Sequence, residues 1–235
     1  MTRATNARIA GVAYLFYIGV AFPSMLLLDR ATSGVGMAAK LATMAQHAAD
    51  VRLAALLSLL GGFAALVLAV TLFAITRVED ADLALLALTC RVAEGVTGAA
   101  SLPATLGLLA LATATVANAS EPAAAQAIGT FVLGQPSLIG ATFFAAGSTI
   151  FSSLLLRGRM IPVSLAWLGV IASLIVTIGL PLQLLGVLRG PLTQLMWLPM
   201  AAFEIPVGIW FIAKGVPSAP ALAGVFGRAV TTSRG

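Results

Sequence analysis

Apolar residues run through this chain in long uninterrupted stretches rather than alternating with polar ones. Residues 9–28 carry no charge and follow a short head with Arg3 and Arg8; comparable runs occupy about 52–75, 83–111, 138–156, 161–188 and 192–213. Each is bounded by charged residues, Gly or Pro. About 20 apolar residues carry a helix across a bilayer core, and an unpaired backbone is not tolerated there. The pattern therefore predicts an all-α polytopic membrane bundle of six transmembrane helices. The first run is too long for a signal-peptide core and no small-x-small site precedes Asp29, so it reads as a retained span.

Two intervals break the pattern. Within residues 29–50, Met37, Leu41 and Met44 recur at helical spacing, which predicts a short amphipathic helix lying at the membrane interface. Residues 113–137 contain Asn118, Ser120, Glu121, Pro122, Gln126, Gly134 and Pro136, a connection with room for a short helix. The Asn118–Ser120 triplet fits a glycosylation acceptor, but so short a pattern carries no weight. In the third run Pro103 should bend the helix, while Gly95 and Ala99 offer a small surface to a neighbour. Residues 1–215 form a single membrane domain in this reading. Residues 216–235, small and punctuated by Pro217 and Pro220, form a mobile cytoplasmic tail.

Composition adds the solvent. Of 235 residues, 60% are hydrophobic and 9% charged, against roughly a quarter charged in soluble domains. Membrane lipids are thus the first partner. The net charge of +5 does not indicate nucleic acid, because the basic residues are scattered rather than gathered on one surface. Six spans with both termini inside collect Arg3, Arg8, Arg77, Arg157, Arg159, Lys214, Arg228 and Arg234 on one side. Arg30, Lys40 and Arg189 fall opposite, with Arg52 at the border. That bias predicts an N-in, C-in orientation, with Trp167 and Trp210 towards the inner interface and Trp197 towards the outer one. Cys90 and His47 are the chain's only cysteine and histidine. No disulfide, clustered metal site, bis-histidine haem or Ser-His-Asp triad can be built from them. No nucleotide-binding motif is present either, so no cofactor and no metal are expected.

The candidate chemistry lies where charges interrupt hydrocarbon. Arg91 and Glu94 stand one turn apart in the third run and Glu204 stands in the sixth. An ionisable group at membrane depth is costly without a partner, which makes these three a candidate buried charge network. From the inner ends of their helices Arg91 lies about 13 Å deep, Glu94 about 18 Å and Glu204 about 15 Å. They share a layer, and Arg91 has donors for both carboxylates. If all three ionise, one negative charge is in excess, and a proton or a cation can balance it. Pro199 and Pro206 each remove a helical donor near Glu204, predicting a distorted sixth helix. At the outer side Asp29, His47, Asp50 and Arg52 form a second polar group, read mainly as solvated charge. Ser148, Thr149, Ser152 and Ser153 in the fourth run are expected to bond their own helix or a neighbour.

With those positions in place, the chain resembles a bacterial multi-pass membrane family catalogued as domain of unknown function 4386. The likeness covers about residues 6–215. It rests on NARIAGVAYLFY at 6–17, CRVAEG at 90–95, LLLRGRMIPVSLAWLGVI at 154–171 and LPMAAFEIPVGIWFIAKG at 198–215. The resemblance implies six spans in the bacterial cytoplasmic membrane. It aligns Arg91 and Glu94 with the family's charged pair, Arg157 with its loop arginine, and Glu204 and Lys214 with its last-span pattern. The loop departs from the family, with Gly158 after Arg157 and Val163 after Pro162. The family supplies no substrate, cofactor or catalytic residue.

Three readings of function stay open on the sequence. One is proton- or ion-coupled transport or permeation of a small solute. A second is a structural or regulatory membrane protein whose buried charges only fix helix packing. The third is lipid binding or intramembrane enzymology, for which no nucleophile–base pair is visible and no catalytic residue is assigned. A homo-oligomer or a protein partner is left undecided.

Overall fold

A computed structural model describes residues 1–117, 121–134 and 138–217. Asn118 to Ser120, Pro136 and the tail beyond Pro217 lie outside the described residues. Those described form ten helices: α1 (Arg3–Ala31), α2 (Met37–Gln46), α3 (Ala48–Thr76), α4 (Ala81–Ala100), α5 (Leu102–Val116), α6 (Pro122–Gly134), α7 (Leu138–Arg157), α8 (Val163–Leu184), α9 (Leu192–Leu195) and α10 (Leu198–Ala213). Six helical segments are long and apolar enough to cross a membrane. They are α1, α3, α4 with α5, α6 with α7, α8, and α9 with α10.

Local chemistry sets their ends. The Thr2 side chain accepts from the Thr5 amide to start α1, and the Asp80 carboxylate accepts from the Leu83 amide at 3.0 Å to start α4. Pro103 falls in the first turn of α5, where its missing N–H costs no helical bond, so the long third segment breaks at Ser101. The sixth segment divides similarly at Met196 and Trp197, leaving Pro199 in the first turn of α10 and Pro206 inside it.

In space α1, α3, α4, α7, α8 and α10 pack in that order into a ring, and α10 returns to α1. Its apolar core includes Leu68, Phe151, Ala172, Met200 and Phe203. One end of the ring is tied by Arg3, which donates to the Ile75 carbonyl at 3.1 Å, the Pro217 carbonyl at 3.2 Å and Met160 Sδ at 3.3 Å. An ion pair of 3.6 Å between Arg157 and Asp80 joins α7 to α4 at that same end. Both described ends of the chain therefore lie on one face of the bundle.

A smaller apolar cluster stands towards the opposite end. There α2 packs against α5 and α6, and Leu41 and Met44 are buried with Leu108, Leu109, Ala112 and Ala125. The expected amphipathic helix is present, but its apolar face is covered by protein rather than spread on lipid. Gly95 meets α3 near Gly62, as a small surface should, whereas Ala99 stays exposed. Trp197 is half-buried, its ring centroid 5.8 Å from that of Phe144. Trp167 is exposed.

Candidate functional site

In the ring α4 and α10 stand opposite one another, two helices apart by either route. Both are anchored at the face that carries the described chain ends, α4 at its start and α10 at its end. Residues ten positions inward on each therefore reach a common depth of about 15 Å. Arg91 and Glu204 occupy those positions, and only 2% and 6% of their surfaces are exposed.

Arg91 Nη1 lies 2.9 Å from Glu94 Oε2, one turn further along α4. The pair is close but poorly aligned: neither atom has a hydrogen-bond partner among the described residues, nor does Arg91 Nη2. Tyr17 of α1 donates its hydroxyl proton to the other carboxylate oxygen, Glu94 Oε1, at 3.0 Å. The guanidinium carbon sits 4.6 Å from the centre of the Phe144 ring and 5.8 Å from that of Tyr17. A desolvated cation gains from such ring faces what it loses in hydration only in part.

Two helix contacts make room for this arrangement. A methyl group on Gly147 of α7 would stand 3.0 Å from Arg91 Cγ and 3.2 Å from the Ala87 carbonyl, so glycine there admits the arginine stem. On the far side α1 crosses α10 through Gly11 and Gly208, where a methyl on Gly11 would meet the Gly208 carbonyl at 2.5 Å. One turn from that crossing lie Tyr14 on α1 and Glu204 on α10. Tyr14 is buried and interacts electrostatically with Glu204, Arg91 and Glu94.

Glu204 differs from Glu94. It lies within electrostatic range of Arg91, yet no ion pair joins it to any cation among the described residues. Its Oε1 is buried without a hydrogen-bond partner there. The interior thus holds one carboxylate paired through Arg91 and Tyr17, and a second whose charge is compensated only across the bundle.

The outer polar group is assembled in part. His47 Nδ1 approaches Asp50 Oδ2 at 3.2 Å and Arg30 reaches the same oxygen at 4.0 Å, while Asp29 and Arg52 are exposed and make no ion pair among the described residues. In α7 the Thr149 hydroxyl bonds the Ala145 carbonyl and the Thr177 hydroxyl of α8, and Ser153 bonds the Thr149 carbonyl. Among the described residues no group of three or more His, Cys, Asp or Glu could hold a metal ion.

Tyr14, Tyr17, Phe144 and Gly147 were not among the residues singled out from the sequence. A signal for the tyrosines existed: they are the only two in the chain, and they sit one turn apart on α1.

A ring of six apolar helical segments around buried charges defines a polytopic α-helical membrane protein. Residues 9–215 match the family described as domain of unknown function 4386, to which the chain belongs. Comparison with curated proteins and with solved structures gives no significant match.

Proposed function

We propose that this is a multi-pass protein of the bacterial cytoplasmic membrane, with residues 1–215 as one membrane domain, 216–235 as a cytoplasmic tail, and both termini inside. It moves a proton or a cation, alone or coupled to a small solute, through the interior of the ring. Glu204 is the exchanging group in this reading. Arg91, Glu94 and Tyr17 form the fixed counterpart that biases its charge.

The carrying observation is Glu204 itself: a buried carboxyl at membrane depth, without an ion-pair partner among the described residues and within electrostatic range of the Arg91 guanidinium. A carboxylate that served packing alone would be expected to close its hydrogen bonds on protein. One that takes up and releases a small cation keeps a free oxygen. Pro206, two residues on, weakens the local helical ladder and gives that segment freedom to adjust.

The test is flux into proteoliposomes under imposed pH and alkali-cation gradients. Wild type should exceed empty vesicles, and Glu204→Gln should fall to background while eluting as the same monodisperse species. Wild-type flux at background under every gradient would overturn the proposal.

A second reading, that the charges only fix helix packing, draws on Arg91 being sealed between two rings. Neither of two cavities, of about 490 and 410 Å³, is lined by Arg91, Glu94 or Glu204. On that reading Glu204→Gln shifts thermal stability and leaves no transport activity to lose.

A further inference from the structure

The face that carries the described chain ends holds a second built feature, independent of the transport reading. A cavity of about 410 Å³ opens between the α7–α8 turn and the end of α10, lined by Arg159, Met160, Ile161, Trp210, Lys214 and Val216 among others. Its apolar floor is buried: Met160, Ile161 and Val216 are each less than a tenth exposed. Arg159 and Lys214 supply two exposed cations, and no acidic residue lines it. Arg3 adds a third cation next to it, bonded to Met160 Sδ and to the Pro217 carbonyl, both from lining residues.

Arg159 is held there at a cost. The α7 helix ends with Arg159 N–H on the Leu156 carbonyl at 3.1 Å and Met160 N–H on the Leu155 carbonyl at 3.0 Å, a helix stop that favours glycine at its left-handed position. Here that position is Arg159, with φ of 47°, the one non-glycine residue with positive φ among those described. Such a backbone is uncommon for a side chain other than Asn, Asp or Gly. The strain keeps a guanidinium on a cavity that the Lys214 ammonium and the Trp210 indole also line. Two cations, an interfacial tryptophan and an apolar floor at the end of a membrane bundle match a phosphate diester carrying acyl chains.

We propose that this cavity binds the headgroup of an anionic phospholipid, with Arg159 and Lys214 on the phosphate and Trp210 at the glycerol level. The reading uses only the membrane assignment and stands or falls apart from Glu204.

The experiment is native mass spectrometry of the delipidated full chain in detergent, titrated separately with phosphatidylglycerol, phosphatidylcholine and inorganic phosphate. Phosphatidylglycerol should bind in preference to phosphatidylcholine. The double variant Arg159→Gln with Lys214→Gln should lose about thirtyfold in affinity for it, the product of two cationic contacts. Lys214→Arg should keep it, and Arg189→Gln at the other end of the bundle should not matter. Because both cations are exposed, neither change threatens folding. Arg159→Gly gives a second readout: it relieves the strained turn, so the lipid-free thermal midpoint should hold or rise while lipid retention falls. Equal retention of the two lipids, retention unchanged in Arg159→Gly or in the double variant, or inorganic phosphate displacing the lipid at equal concentration would each overturn the assignment.

Discussion

Arg91 shows how much one residue asks of its surroundings. Burying an ion pair does not by itself stabilise a fold, yet removing one partner leaves an uncompensated charge and costs about 3–5 kcal/mol. Arg91→Met should therefore lower the thermal midpoint sharply, because the Glu94 side chain, only 11% exposed, keeps just the Tyr17 hydroxyl to answer it. Adding Glu94→Gln should recover a large part of the loss, and a double-mutant cycle of melting measurements reads that coupling directly. Additive losses would mean that the 2.9 Å contact is energetically idle. The charged pair was legible in the sequence because charges stand out against hydrocarbon. Its housing was not: Gly147 and Phe144 look like any other small and aromatic residues of an apolar helix. Only packing reveals that one admits the arginine stem and the other faces its guanidinium.

Among the elements, the crossing of α1 and α10 controls the site from a distance. Gly11 and Gly208 let the two backbones approach, and that contact sets how Tyr14 is presented to Glu204 one turn away. Gly11→Ala would drive its methyl against the Gly208 carbonyl, a backbone atom that cannot swing aside. Overpacking of this kind costs about 1–3 kcal/mol. Gly19→Ala, on the same helix but with open space around it, should be neutral. Comparing the two melting temperatures in detergent checks the crossing; equal values would show that α1 and α10 yield without penalty. Hydropathy located all six apolar segments but divided two of them poorly. Ala81–Val116 runs 36 residues, about 54 Å of helix, and α6 and α7 hold 13 and 20 more, in each case more than a bilayer core of about 30 Å needs. The excess turns aside as α5 and α6 and folds over α2. Apolarity could not distinguish helix that faces lipid from helix that covers another helix, since both bury the same side chains.

For the whole molecule the open variable is which face meets the cytoplasm. The face with the described chain ends carries Arg3, Arg8, Arg77, Arg157, Arg159 and Lys214, against Arg30, Lys40, Arg52 and Arg189 towards the other end, with Arg91 in the interior. Short loops with more Lys and Arg stay inside during insertion, and the ties from Arg3 mean that the N-terminal head, the α3–α4 turn and the α7–α8 turn share one fate. The sequence exposed this bias without three-dimensional information, because counting charges needs only the order of the spans. Orientation can be read with single cysteines introduced after Cys90→Ala removes the native thiol. Val78→Cys lies in the turn between α3 and α4, while Val35→Cys and Val187→Cys lie at the other end; all three positions are well exposed. A membrane-impermeant maleimide on intact cells should label positions 35 and 187 and leave 78 untouched until the membrane is permeabilised. Labelling of 78 alone would invert the molecule. Glu204, about 15 Å from that face and so near the middle of a bilayer core of about 30 Å, would keep its depth, while the cavity lined by Arg159 and Lys214 would open towards the outer leaflet instead.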